Sequence, residues 1–395
     1  MIMRPCRVEI RTSFLEDNYR FLARLAAPHA ELLAVVKANA YGHGLDLCAP
    51  AAVKAGARWL GVTSVEEGAA ARALCPDARI LVIGGVFPGQ GGETVRLGLT
   101  AVVWEPWQLD ELEGAARAAG VLEGGVPVHL EIDTGMSRQG VGLDGIDQAL
   151  ARFGAGSSLR LEGVMTHLFA ADEANGAVTD EQFARLDAAL ERVKAAGLTP
   201  EWLNVGNSAA LLSGRTGEIV NLASCYGMKA LLRPGLALYG LVPEFEPGFE
   251  GEEPAGMAAA RARLRPVLSW KTVVVGVRTV PAGAVVGYNG TFVASEPMRL
   301  ALAAVGYGDG LDRRLGNRFS LLVRGERAPL VGRVSMDQAV LDVTEIDGVA
   351  AGDEVVILGS QGDETITAFD HAEVAGTIPW EVFTRIGARL ARVEI

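Results

Sequence analysis

The 395-residue chain is 49% hydrophobic and 21% charged, the profile of an ordinary globular protein with room for two domains. Its net charge of −12 and its lack of a long basic run argue against nucleic acid or a membrane surface as a partner. No apolar stretch is long enough to span a bilayer, and Arg4, Arg7, Glu9 and Arg11 occupy the place of an apolar signal segment, so the default expectation is cytoplasmic.

In chain order, short apolar runs predict strands at 33–36, 59–62, 80–83, 101–104, 128–132, 163–166, 202–205 and 236–239. Between them lie alanine-rich stretches with helical spacing, such as 64–74 and 180–196. Eight β/α units within residues 1–245 is the count of a parallel (β/α)8 barrel, an α/β fold whose active sites lie at the C-terminal ends of the strands. Lys37, Asp133, Arg138, His167, Asn207, Ser208 and Arg233 all fall at or just beyond such ends.

Residues 243–256 are rich in Pro, Gly and Glu and read as a linker. The remainder, 246–395, changes character. Apolar runs at 267–280, 299–305, 320–323, 339–343 and 354–358, with few helical stretches between them, predict a mostly β second domain, to which the first few residues of the chain could also pair. Cys6, Cys48, Cys75 and Cys225 are scattered without a CxxC pair, so no metal is expected and isolated buried thiols are.

Lys37 ends the apolar run Leu32-Leu33-Ala34-Val35-Val36 and precedes a turn with two glycines. Two readings of it stand on spacing alone. A lysine in an apolar crevice loses its proton more readily and becomes a nucleophile suited to Schiff-base chemistry. A lysine at a strand end also commonly snorkels past apolar surface into water.

The full string Val35-Val36-Lys37-Ala38-Asn39-Ala40-Tyr41-Gly42-His43-Gly44 resembles the pyridoxal-phosphate lysine signature of the alanine racemase family. Further resemblances follow in the family's order. They are Asp133-Thr134-Gly135-Met136-Ser137-Arg138, Thr166-His167, Asn207-Ser208-Ala209-Ala210, Leu232-Arg233-Pro234-Gly235, Gly287-Tyr288-Asn289-Gly290-Thr291, Val305-Gly306-Tyr307-Gly308-Asp309-Gly310 and Gly332-Arg333-Val334-Ser335-Met336-Asp337-Gln338. The resemblance thus covers nearly the whole chain.

It implies pyridoxal 5'-phosphate held covalently by Lys37, which also moves a proton on one face of the substrate α-carbon, with Tyr288 serving the other face. Tyr41, Asn207, Ser208 and the amides of Gly235 and Leu236 are implied at the phosphate. Arg138 is implied at the cofactor phenolate and the substrate carboxylate, and the Met336 amide at the same carboxylate. Arg233 is implied at the pyridine nitrogen, bridged by His167 to Tyr288. Because arginine does not give up its proton, the ring stays neutral, which favours racemisation over transamination. Tyr307 is implied as an entrance wall, with Asp172, Arg313, Arg333 and Ile386 in an entrance layer. Asp337 belongs to the Met336 motif. The equivalents of Tyr288 and Met336 reach a partner subunit's barrel, which implies a homodimer with composite sites acting on a small amino acid. His43 reads as a turn histidine bonded to backbone.

Two positions depart from the family pattern. Where many members carry a carbamylated lysine seven residues before the arginine, this chain has Glu131, a carboxylate that could orient Arg138 by a charge-assisted hydrogen bond. Where some carry a gate tyrosine that touches the phosphate, this chain has Ala388, which implies a wider entrance. The function implied is interconversion of L- and D-alanine, supplying D-alanine for peptidoglycan. A broader racemase acting on serine or basic amino acids is the alternative. A barrel-type amino-acid decarboxylase has no need of Tyr288 as a second base, and a catalytically silent carrier has no need of the long β domain.

Overall fold

A computed structural model describes residues 4–245 and 251–395. Strand β1 (Arg7–Ile10) is followed by the eight strands of a closed parallel barrel. These are β2 (Ala30–Val35), β3 (Trp59–Val62), β4 (Arg79–Val82), β5 (Thr100–Val103), β6 (Val126–Glu131), β7 (Leu159–Met165), β8 (Trp202–Asn204) and β9 (Lys229–Leu232). Closure comes from β9 pairing with β2, with Ala30, Glu31 and Leu32 opposite Ala230, Leu231 and Leu232. The strands are almost wholly buried, which is why they read as continuous apolar runs. Helices such as Val65–Leu74, Pro106–Ala118 and Ala177–Ala195 alternate with them.

The eighth strand differs from expectation. The run 236–239 is a 3-10 helix, and the barrel is closed by Lys229–Leu232 instead. Both segments are apolar and short, and periodicity does not separate them. Pro234 and Gly235 stop the strand, and Gly240 in the left-handed region ends the helical turn. Arg233 therefore directly follows a barrel strand.

The described residues form two compact units. One comprises Ser13–Ala40 and Cys48–Arg265 and holds the barrel. The other comprises Met1–Thr12, Tyr41–Leu47 and Pro266–Ile395. It is mostly β, and its long strand β10 (Leu268–Val280) pairs antiparallel with β1. The expected linker at 243–256 lies partly outside the described residues, and its last two residues open the helix Ala255–Arg263. Cys6, Cys48 and Cys75 are buried as expected, whereas Cys225, the last residue of the helix Thr216–Cys225, is exposed. Among the described residues no helix is long and apolar enough to cross a membrane.

Candidate active site

Lys37 directly follows Val36 at the C-terminal end of β2. The four residues after it wind the wrong way for L-amino acids: Ala38, Asn39, Ala40 and Tyr41 all have φ of 53–54°. Each such residue costs roughly 1–2 kcal/mol, so the run persists only where its surroundings impose it. Part of that anchoring is visible. Glu67 accepts from the Asn39 amide at 3.1 Å and from the Thr63 amide at 2.9 Å. Burial lowers the pKa of Lys37, and the cations Arg138 and Arg233 lower it further. The amine therefore sheds its proton more easily than an exposed lysine.

Arg233 is 4% exposed, and both its terminal nitrogens are engaged. Its Nη1 donates to the backbone oxygen and to Oδ1 of Asn204, both at 2.6 Å. Its Nη2 donates to Thr166 O at 2.9 Å and faces His167 Nδ1 at 3.2 Å. Burial pushes the guanidinium down to about 10, which leaves it charged at neutral pH. Because guanidinium nitrogens only donate, His167 Nδ1 accepts and the imidazole carries its proton on Nε2. Burial, then Arg233, Arg138 and Lys37, push His167 down to about 3.

Arg138 stands on the loop after β6 and is exposed. The loop is closed on itself: Asp133 N donates to Val141 O at 3.0 Å and Val141 N to Glu131 O at 2.8 Å. A Cβ at Gly140, whose φ is +114°, would stand 2.4 Å from the Asp133 nitrogen, so the loop requires glycine there. Gln182 ties this loop to the end of β7 by donating to Thr134 Oγ1 and His167 O, each at 2.9 Å. Glu131 is 2% exposed, and its partner is Gln139, whose Nε2 donates to Oε2 at 2.6 Å. Among the described residues Glu131 pairs with Gln139 and not directly with Arg138. Burial raises its pKa despite Gln139, Arg233 and Arg138 acting the other way.

On the far side, Ser208 Oγ accepts from the amides of Gly235 at 3.0 Å and Ala237 at 3.2 Å, which leaves its hydroxyl proton free to donate. The Asn207 side chain is committed to the scaffold, accepting from Ala210 N at 3.0 Å and donating to Leu168 O at 3.1 Å. Tyr41 is buried, which pushes its phenol up to about 12. His43 bonds the Tyr41 backbone oxygen through Nδ1 at 2.9 Å, the turn role expected for it.

The second unit carries the remaining candidates. Tyr288, Tyr307 and Met336 are 66%, 43% and 54% exposed. Two of their motifs lock together, with Tyr307 N donating to Ser335 O at 2.9 Å and Gly308 N to Met336 O at 2.8 Å. Asp337 pairs with Arg389 at 2.8 Å. Arg313 and Ala388 are exposed, Arg333 is half-buried, as is Asp172 of the barrel unit, and Ile386 is buried with its carbonyl bonded to Arg392 at 2.8 Å. The sequence reading missed Asn204 and Gln139, although Asn204 was signalled as an amide at the end of an otherwise apolar strand.

A desolvated amine, two guanidinium groups and an obligately neutral imidazole meet at the C-terminal rim of a parallel barrel. Together they define a barrel enzyme with an anion-seeking site. The alanine racemase N-terminal domain model matches residues 10–243 and the C-terminal domain model residues 267–394. An alanine racemase of Sorangium cellulosum is 38% identical over 399 residues, covering 99% of each chain. The crystal structure of alanine racemase from D-cycloserine-producing Streptomyces lavendulae superposes with a TM-score of 0.86 at 35% identity, covering 100% of this chain and 98% of that one. That of Bartonella henselae, with covalently bound pyridoxal phosphate, gives 0.81 at 27% identity, covering 99% of each. The chain belongs to the alanine racemase family, and it is an isomerase.

The two neutral histidines of the barrel give a pH dependence. Burial also lowers the pKa of His129, which is fully enclosed. In the unfolded chain both titrate near 6.5, so below that pH the unfolded state binds protons that the folded state does not. This stability is present above pH ~6.5 and is lost as pH falls below it, for His167 down toward pH 3, at up to ~1.4 kcal/mol per pH unit per histidine. Thermal melting should fall steadily below pH ~6.5, and less steeply in His167→Asn. A wild-type melting temperature that is flat between about pH 7 and pH 5 would contradict this assignment.

Proposed function

We propose that this chain interconverts L- and D-alanine with pyridoxal phosphate in the barrel, using Lys37 and Tyr288 as two bases on opposite faces of the substrate α-carbon. The observation that carries the reading is the clustering of Lys37, Arg138 and Arg233, with the amine's pKa lowered by burial and by both arginines. Arg138 and Arg233 act on both the Lys37 amine and the buried carboxylate of Glu131, and this pair of guanidinium groups suits an anionic occupant, a charge that a phosphorylated pyridoxal supplies. The donor set therefore fits the group. The primary amine of Lys37 bonds it covalently. The Ser208 hydroxyl, the phenol of Tyr41 and the Leu236 amide would hold its phosphate, the Gly235 amide being engaged on Ser208 Oγ, while Asn207 fixes the turn carrying Ser208 and Arg233 would face its ring nitrogen. When bound, this cofactor withdraws electrons from the α-carbon of an attached amino acid and so acidifies the Cα–H bond.

Arg138 and the Met336 amide orient the substrate carboxylate. Lys37 takes or returns the α-proton on one face, and Tyr288 does so on the other. Arg233 would face the ring nitrogen, and because a guanidinium does not give up its proton it would leave the ring neutral, which favours racemisation. His167, with its proton on Nε2, links Arg233 to Tyr288. Tyr288 and Met336 come from a second copy of the chain, so the working form is a homodimer. In this reading residues 1–245 bind the cofactor and 246–395 serve the partner's site. Tyr307 walls the entrance, and Asp337 supports the Met336 loop through Arg389. The product feeds peptidoglycan synthesis in the cytoplasm.

Glu131 takes the place of the carbamylated lysine and acts on Arg138 through its charge, held in position by Gln139. Glu131→Gln should lower kcat/KM for alanine about tenfold, the scale of a lost hydrogen bond to a charged group. Unchanged affinity and turnover would remove Glu131 from the site. The test of the whole reading is D-alanine formation from L-alanine by purified protein, with serine, lysine and arginine in parallel. Turnover of none of them would end it.

A further inference from the structure

Beneath Arg233 the barrel interior holds a line of polar side chains that the reaction above does not use. Arg233 Nη1 donates to Asn204 Oδ1 at 2.6 Å, Asn204 Nδ2 lies 3.1 Å from His129 Nδ1, and His129 Nε2 lies 3.7 Å from Glu162 Oε2. The other oxygen of Glu162 is ion-paired with Arg79 Nη2 at 2.7 Å and accepts from Arg160 Nη2 at 2.9 Å. Asn204 and His129 are 0% exposed and Glu162 is 2% exposed. The imidazole has a built seat. A Cβ at Gly163 would stand 2.6–2.8 Å from three of its ring atoms, and Trp59 packs edge-on against it with centroids 5.8 Å apart.

The donor rules leave each of these groups one orientation. A guanidinium only donates, so Arg233 holds the oxygen of the Asn204 amide and leaves its NH2 facing His129. His129 Nδ1 must then accept, and its one proton sits on Nε2, which faces Glu162 Oε2 across 3.7 Å, each atom buried and without a hydrogen-bond partner among the described residues. Burial disfavours the Glu162 anion, but His129, Arg79 and Arg160 together hold its carboxyl down to about 2. Dipoles therefore run head to tail from an anion near the start of the strands to the guanidinium at their ends. Their negative end faces Arg233, which offsets the cost of burying that cation.

We propose that Glu162 and His129 are positioning residues for Arg233: the carboxylate sets the imidazole tautomer, the tautomer sets the Asn204 amide, and the amide oxygen keeps the guanidinium aimed. The proposal rests on the reading that Arg233 faces the cofactor ring.

Glu162→Gln is the discriminating change. Arg79 and Arg160 still require an acceptor, so the new amide keeps its oxygen on them and turns its NH2 toward His129. His129 Nε2 must then accept, its proton moves to Nδ1, and Asn204 turns its own NH2 against Arg233. In holoenzyme labelled with 15N-histidine, five histidines need resolving. Wild-type His129 should be the neutral Nε2–H tautomer, and Glu162→Gln should convert it to Nδ1–H. The same variant should lose about tenfold in kcat with KM held within about twofold, the range in which partners behind a first layer of ligands act. Glu162→Asp, which retains the charge, should retain the wild-type tautomer. Wild-type His129 found as Nδ1–H or as imidazolium overturns the proposal without any variant having to fold. A Glu162→Gln protein with a swapped tautomer and unchanged kcat overturns it as well. If the wild type racemises no alanine the proposed function fails, whereas the tautomer readings still decide the Glu162–His129–Asn204 line.

Discussion

Lys37→Ala should lose racemisation by roughly 10⁴-fold or more, because one side chain supplies both the covalent attachment and a proton-transfer group. The amine is suited to both tasks because burial and the neighbouring arginines lower its affinity for a proton. Loss of attachment and loss of activity should coincide. Borohydride reduction of wild-type holoenzyme, followed by peptide mapping, should place a pyridoxyl group on Lys37 and on no other lysine. Lys37→Ala should take up none by this route. A variant that kept covalent cofactor, or turned over alanine within about tenfold of wild type, would remove Lys37 from the role given to it.

Tyr288→Phe should cost roughly 10²–10⁴-fold in kcat, the usual worth of a positioned acid–base group. Its cost in stability should be small. Tyr288 is 66% exposed, and surface changes are usually worth within ~0.5 kcal/mol. The variant should therefore melt with the wild type and keep its cofactor. Its defect should also be one-sided. With Lys37 intact, one enantiomer of alanine should still exchange its α-proton for solvent deuterium, yet return without inversion. Equal loss of exchange and inversion for both enantiomers would contradict a two-base division of labour.

Much of this arrangement was legible in the sequence for a physical reason. Parallel strands buried on both faces appear as uninterrupted apolar runs, so the polar residues that end them stand out, as Lys37 and His167 do. The eighth strand was less legible because 229–232 and 236–239 are equally short and apolar, and only chain closure against β2 chooses between them. The left-handed run after Lys37 contains two alanines and a tyrosine, residues that give no signal for that region. Gln139 and Asn204 were missed because their roles depend on distant partners, Glu131 and the pair Arg233 and His129. Pairings of that kind follow from strand register and loop closure, not from local composition.

Cys225 shows the opposite error. A thiol expected inside lies on an exposed helix end, where burial propensity is only a tendency. The mostly β character of the second unit followed a change in periodicity from helical to strand-like, but β1 departs from sequence order. It pairs with β10 more than 250 residues later.

The central claim is that Lys37 of one chain works with Tyr288 of another. Mixing inactive Lys37→Ala with inactive Tyr288→Phe after reversible dissociation tests it most directly. A two-fold symmetric mixed dimer would contain one doubly defective site and one intact site. Random exchange should then restore about a quarter of wild-type activity per chain. Activity that stays at the level of the two separate variants, with mixed dimers demonstrably formed, would contradict the composite site.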